Sequence, residues 1–173
     1  MKLYDVIYAD PPWRYEREAP VKNDRIESHY PTMSEEEIAS LIIPAKSDSV
    51  LWLWSTSPKL KVALKIIINI WNFEYVTCGV WDKGSPGLGY WFRQQHELLL
   101  IGKRGNFRCP HPDTISSVIY CKRGKHSEKP FIIRDYLTRI YKGMDKIEFF
   151  ARINDYLFAD ELSKEWDFIG NEA

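Results

Sequence analysis

Charge of one sign is what this sequence lacks most plainly: 24 Lys and Arg balance 24 Asp and Glu, for a formal net charge of zero. A domain that grips nucleic acid through bulk electrostatics normally carries a basic excess. Any contact with phosphates must therefore rest on local clusters. Cysteine is scarce as well. Cys78, Cys109 and Cys121 are an odd number with no C-x-x-C spacing, so a disulfide framework is not expected and the thiols are read as reduced. The nearest approach to a metal cluster is Cys109 with His111 and Cys121. It lacks the ligand spacing of a tetrahedral zinc site, and no metal is expected. No apolar run reaches membrane-spanning length, and the longest helical candidate is interrupted by Lys61 and Lys65. With no secretory leader in view, the expected location is cytoplasmic, with no membrane partner.

Two common phosphate signatures are also missing. Gly84, Gly87 and Gly89 run G-x-x-G-x-G, the reverse of the dinucleotide fingerprint, and they do not open a helix. No G-x-x-x-x-G-K-[ST] stretch occurs, which excludes a Walker loop. Internal repeats and low-complexity tracts are absent, and 173 residues is the length of one domain. Residues 1–173 are accordingly read as a single domain.

Aromatic residues, in contrast, are plentiful at 14%, with seven Trp and ten Tyr. A rich core or a cleft with stacking surfaces would both use them. Along the chain, "KLYDVIYA" reads as a first strand and residues 14 to 31 as a long polar loop. "TMSEEEIASLII" reads as a short helix, with Ser34 and Glu37 as a capping box. "SVLWLW" (49–54) is a continuous apolar run, expected to be a central parallel strand. A helix is expected to follow, with Ser57 as its cap and Pro58 in its first turn. "YVTCGVW", "HELLLIGKRG", "SSVIY", "DKIEFFAR" and "KEWDFIGNE" read as further strands, and Ser127 is expected to cap a helix over about 128–141. The alternation predicts an α/β fold with a mainly parallel, doubly wound sheet.

The most informative stretch is "VIYADPPWRYE". A buried strand ends there on an acid, two prolines and a tryptophan. In open α/β sheets, ligands bind beyond the carboxyl ends of the strands, and Asp10 sits at such an end. Pro11 and Pro12 have no N–H to donate, so the backbone offers carbonyl acceptors on a stiff frame. An ionised Asp is also acceptor-only. The site is therefore built to take hydrogen bonds from an NH₂ group, with Trp13 offering a face for a flat ring. The exocyclic amine of a nucleobase fits that description. Two acceptors on its hydrogens draw the nitrogen toward tetrahedral geometry, free its lone pair and stabilise the positive charge that grows as an electrophile arrives. The bland alternative is an Asp-Pro turn with Trp13 in the core.

At these residues the chain resembles the MT-A70 adenine-N6 methyltransferases. The resemblance covers nearly the whole chain in the family's permuted order: "ADPPW", "HYPTMSEEEI", "LWLW", "WDKGSPGLGYWFRQQHELLLIGKRG", "HSEKP", "IEFFAR" and "WDFIGNE". It implies a Rossmann-like fold and methyl transfer from S-adenosyl-L-methionine to adenine N6. It implies a catalytic set of Asp10, Pro11, Pro12 and Trp13. Asp10, Lys129, Arg152, Asn171 and Glu172 are implied to hold the cofactor, and Trp13, Tyr30, Glu97 and Lys129 to meet the substrate. A structural ion-pair role for Glu97 stays open beside that one. The implied partner is a nucleic acid, DNA slightly favoured over RNA, presenting a flipped or single-stranded adenine. Basic clusters at 103–108 and 122–126, with Arg14 and Arg17, are expected to bind its phosphates. A homodimer or a heteromeric partner subunit would complete target selection. The alternative function is a non-catalytic nucleic-acid-binding subunit of the same fold; cytosine N4 is disfavoured by the acid that opens the motif.

Overall fold

The computed structural model describes residues 1–15, 31–89, 91–109, 115–124, 129–151 and 165–170. Seven strands form one sheet: β1 (Tyr4–Ala9), β2 (Ala45–Ser55), β3 (Glu74–Asp82), β4 (His96–Arg104), β5 (Val118–Tyr120), β6 (Lys146–Phe149) and β7 (Trp166–Ile169). Their spatial order is β5-β3-β4-β2-β1-β6-β7. β1 pairs in parallel with β2 and β6, β6 with β7, and β3 with β5. β4 alone runs against both of its neighbours. The sheet is thus mostly parallel, as expected. β2, expected to be a central parallel strand, is central but has one parallel and one antiparallel neighbour.

The period-two alternation of the strands sends side chains to two cores. Ile7, Ala9, Leu51 and Leu53 face one side and pack with Ile38, Ala63, Ile66 and Ile67. These belong to α1 (Glu35–Ala39), α2 (Leu60–Lys65) and the π-turn Ile66–Ile70 that extends α2. Val6, Tyr8, Val50, Trp52 and Trp54 face the other side, against Ile133, Tyr136, Leu137 and Ile140 of α3 (Phe131–Ile140). Fully burying a side chain of this size contributes about 1.5–3 kcal/mol, which fixes the register of both faces. The continuous apolar reading of β2 follows from helices covering both of its faces.

Local signals behave as chemistry requires, with one exception among the described residues. Ser34 Oγ accepts from Glu37 N while Glu37 Oε2 accepts from Ser34 N, a complete capping box. The segment after β2 starts as a 3₁₀ turn, Ser57–Lys59, whose cap position is Thr56, and no side chain caps it. Ser57 was expected there, but its hydroxyl is bonded to His96 Nε2 at 3.0 Å instead. α3 begins after Pro130, and the expected cap Ser127 lies outside the described residues. Among the described residues no helix is long and apolar enough to cross a membrane.

The chain leaves β1 toward β2 on one side, whereas β6 leads to β7 on the other. The strand order therefore reverses between β1 and β6, and their carboxyl ends flank the crevice where α/β sheets take ligands. Phe150, just beyond β6, turns the chain with φ 63°. Gly170, just beyond β7, lies so close to this turn that an added Cβ would stand 2.1 Å from Ala151 O. Gly170→Ala is expected to force these strand ends apart and to cost about 1–3 kcal/mol. That would lower the melting temperature by several degrees, about 2–4 °C per kcal/mol at this size; an unchanged melt would show that the turn yields freely.

Candidate active site

Asp10 follows β1 directly, and its N–H points to Phe149 O at 3.4 Å, so the ends of β1 and β6 are laced together at the acid. The two prolines then build a tight frame. Trp13 N donates to Pro11 O at 2.9 Å across Pro12, an arrangement of γ-turn span. Met33 N donates to Pro12 O at 2.8 Å and Arg14 N to Met33 O at 3.0 Å, a parallel bridge that anchors the segment ahead of α1. Pro11 O keeps a second lone pair beyond the Trp13 bond, since a carbonyl has two.

Trp13 differs from expectation. It is only 6% exposed and packs in the core beside Ala9, Leu53 and Phe149. Its Nε1 donates to Trp54 O at 3.2 Å. Its ring is thus a peg that pins the loop to β2, not an open face for stacking. The physical reason is plain. A large ring at the end of two buried strands gains more from the core than from solvent, and its N–H finds a carbonyl there.

Around Asp10 the structure assembles a chain of alternating charges. Lys129 Nζ lies 2.7 Å from Asp10 Oδ2 and 3.3 Å from Glu97 Oε2. Glu97 Oε1 in turn lies 3.2 Å from Lys83 Nζ. All four side chains are largely buried, from 9% exposed at Lys83 to 27% at Asp10. Burial alone would drive the Lys129 ammonium down, but Asp10 and Glu97 overcome it and hold its pKa above the usual value. Burial likewise pushes Glu97 up, and Lys129 with Lys83 overcomes that and holds its carboxyl below the usual value. Both groups are therefore ionised at neutral pH.

The floor beneath these charges is aromatic. Trp54, fully buried at the end of β2, donates from Nε1 to Tyr8 Oη at 2.7 Å and meets Trp81 edge-on at 6.0 Å. The Lys129 ammonium sits 5.7 Å from the Trp54 ring and the Lys83 ammonium 5.8 Å from the Trp81 ring, within cation–π reach. Tyr8, Trp54, Trp81 and Lys83 were not singled out from the sequence as site residues. The repeated Trp of "LWLW" was the signal for Trp54, and Trp81 and Lys83 stood in the "WDKG" that opens another matching block.

Of the expected site residues, Asp10, Pro11, Glu97 and Lys129 are brought together. Tyr30, Arg152, Asn171 and Glu172 lie outside the described residues. The basic clusters divide. Because β4 runs antiparallel, its His96 end is at the crevice and its Arg104 end at the opposite pole of the sheet. Nine residues of strand separate the poles by roughly 27 Å, so residues 103–108 cannot flank the site as expected. Arg104 is instead structural, bonding Trp71 O at 2.6 Å and Ala45 O at 3.3 Å. Lys122 and Arg123 follow β5 at the crevice end and are exposed, while Arg14 is tied to Thr32 and Glu37.

The Asp10 carboxylate at the switch point suits a cofactor with a cationic centre, while the Lys129 ammonium beside it is already shared between Asp10 and Glu97. The close backbone approach at Gly170 leaves the chain just beyond β7 bare of side chain where it meets Ala151.

A mostly parallel sheet covered on both faces, with an acid at its switch point, is a Rossmann-like architecture. The chain belongs to the MT-A70 family, an adenine-N6 methyltransferase family, whose model matches residues 4–172. It is similar to the Type II methyltransferase M.MunI of a Mycoplasma species, 33% identical over 173 residues that cover 88% of this chain and 74% of that protein. It is also similar to the N(6)-adenosine-methyltransferase MT-A70-like protein of Drosophila melanogaster, 27% identical over 98% of this chain and 27% of that one. The human N(6)-adenosine-methyltransferase catalytic subunit METTL3 is 27% identical, over 98% of this chain and 28% of its own length. The chain thus spans most of the first relative but only about a quarter of the other two.

Proposed function

We propose that this chain is an S-adenosyl-L-methionine-dependent methyltransferase acting on the N6 amine of adenine in nucleic acid, DNA slightly favoured over RNA. The observation that carries the reading is the DPPW carboxylate at the sheet's switch point, locked at 2.7 Å to Lys129. The slight DNA preference is supported by how the similarity is distributed. The similarity spreads over most of a Type II methyltransferase but over a small part of the two relatives whose names specify adenosine.

S-Adenosyl-L-methionine, when bound, supplies a methyl group activated by a positively charged sulfur. Asp10 and Lys129, with Arg152, Asn171 and Glu172, are the residues that would hold it. The chain's own work is on the amine. Asp10 and Pro11 O accept its two hydrogens, which localises the nitrogen lone pair and stabilises the charge that develops on it. Lys129 is protonated and Glu97 ionised well away from neutrality, so neither is poised as a general base. The surplus proton leaves to water after transfer.

The test is incubation of the full chain with S-adenosyl-L-methionine and separate pools of single-stranded DNA, duplex DNA and RNA, read by nucleoside mass spectrometry. N6-methyladenine in any pool supports the reading and the best pool names the substrate. Cofactor binding with no product in any pool would point to a missing partner subunit or an unsampled target sequence, whereas neither product nor cofactor binding would favour the non-catalytic subunit. Phosphate contacts have their own signature. Lys122→Gln with Arg123→Gln is expected to lower the slope of log affinity against log salt by about two, and Lys103→Gln with Arg108→Gln to leave it nearly unchanged. Equal slopes for both pairs would remove the assignment of the phosphate path.

A further inference from the structure

We propose that Lys83 is a positioning residue for Asp10, acting through Glu97 and Lys129, and that it ties the glycine-rich loop 83–95 to methyl transfer; this rests on the methyltransferase reading above. Lys83 stands at the neck of that loop. Its N–H donates to Gln95 O at 2.9 Å, and Asp82 beside it accepts from Gly84 N and Gln95 Nε2, both at 2.8 Å. The two ends of the loop are thereby clasped. Yet the Lys83 side chain turns inward, 9% exposed, where an unpaired ammonium would be costly.

What it meets there is one oxygen of Glu97, and the other oxygen of the same carboxylate meets Lys129. Glu97 is shared between two cations, and Lys129 between two anions. The sharing is unequal: Lys129 is 2.7 Å from Asp10 and 3.3 Å from Glu97. Removing Lys83 frees a full carboxylate to compete for Lys129 and draws the ammonium away from Asp10. A loop shifted by an incoming substrate would change the same balance. The groups that bear on Glu97 are Lys83, Lys129 and Asp10 beyond it, with Asp82 across the ladder from neighbouring His96.

The experiment compares Lys83→Met, Lys83→Arg, Glu97→Gln and the double variant Lys83→Met with Glu97→Gln. Single-turnover methylation at saturating cofactor and substrate is followed against pH, and the Glu97 carboxyl is titrated by carbon NMR. Lys83→Met is expected to slow transfer about 10–100-fold and to raise the acid limb and the Glu97 titration by about one pH unit, since the Lys83 charge helps hold that carboxyl down. Lys83→Arg should recover most of the rate. The double variant should be within about two-fold of Glu97→Gln, because both act on one chain. A Lys83→Met protein that only melts earlier, with the rate, the limb and the Glu97 titration of the parent, overturns the proposal. So do single losses that multiply in the double variant. If the parent makes no N6-methyladenine, the methyltransferase reading fails by itself, and the Glu97 titration still decides whether Lys83 sets the charge chain.

Discussion

Asp10→Asn is expected to reduce methyl transfer by about 10²–10³-fold, the usual loss when one preorganised polar group facing a developing charge is removed. The substitution keeps the shape and one acceptor oxygen, but replaces the other oxygen with an NH₂ donor that opposes the amine of the base. It also strips the negative charge that stabilises a nitrogen becoming positive. Lys129 would keep Glu97 as a partner, 3.3 Å away, so the fold should survive. Single-turnover methylation with a melting curve on the same sample separates the two effects. A variant that folds and retains more than a tenth of the rate would mean that Asp10 is not the group that meets the amine.

Lys129→Met should be damaging in two ways. It leaves the carboxylates of Asp10 and Glu97 facing one gap with the cation between them gone. Breaking a buried ion pair by removing one partner costs about 3–5 kcal/mol; with these side chains 15–27% exposed, the low end, about 3 kcal/mol, is expected from urea unfolding. Activity should fall about 10²-fold, since a carboxylate displaced by an ångström loses that much.

The pH dependence carries the sign. Lys129 has a folded pKa above its usual 10.5, so its contribution to stability is complete below that value and is lost as pH rises through the folded one. Glu97 lies below its usual 4.5; its contribution is complete above that value and is lost as pH falls through the folded one. The parent should be insensitive to this pair from about pH 5 to pH 10. In Lys129→Met the alkaline loss from this residue disappears, and the acid loss shrinks to the share that Lys83 supplies. Parent-like losses at both limits would show that the ammonium is not the clasp described here.

Much of this was legible in the residues themselves, for identifiable reasons. β1, β2 and the capping box of α1 follow from short-range rules: apolar runs of strand length, prolines that end them, a Ser three residues ahead of a Glu. The acid at the end of β1 and the lysine of "SEKP" were readable as partners in one site only through a family resemblance, because 119 residues separate them. What escaped was direction and depth. The apolar pattern of "HELLLIGKRG" is the same whichever way the strand runs, so nothing local said that Glu97 would reach the crevice and Arg104 the far pole. Trp13 after two prolines reads as a platform, and only the core beside it shows a peg. Lys83 sits in a polar loop where a solvated lysine is the ordinary expectation, and only the fold turns it toward Glu97.

The bond from Asp10 N to Phe149 O links residues 139 positions apart in a sequence of 173. The strand that carries the acid is made first, and the strand that closes the crevice beside it is made near the end. Contacts of such separation form late, after the loop entropy between them has been overcome. During synthesis on the ribosome, Asp10 therefore waits through most of the chain for its neighbour. The two cores can begin to gather around β1 and β2 well before the crevice between β1 and β6 exists. The crevice is then a property of β1 and β6 together and of no stretch that lacks either strand.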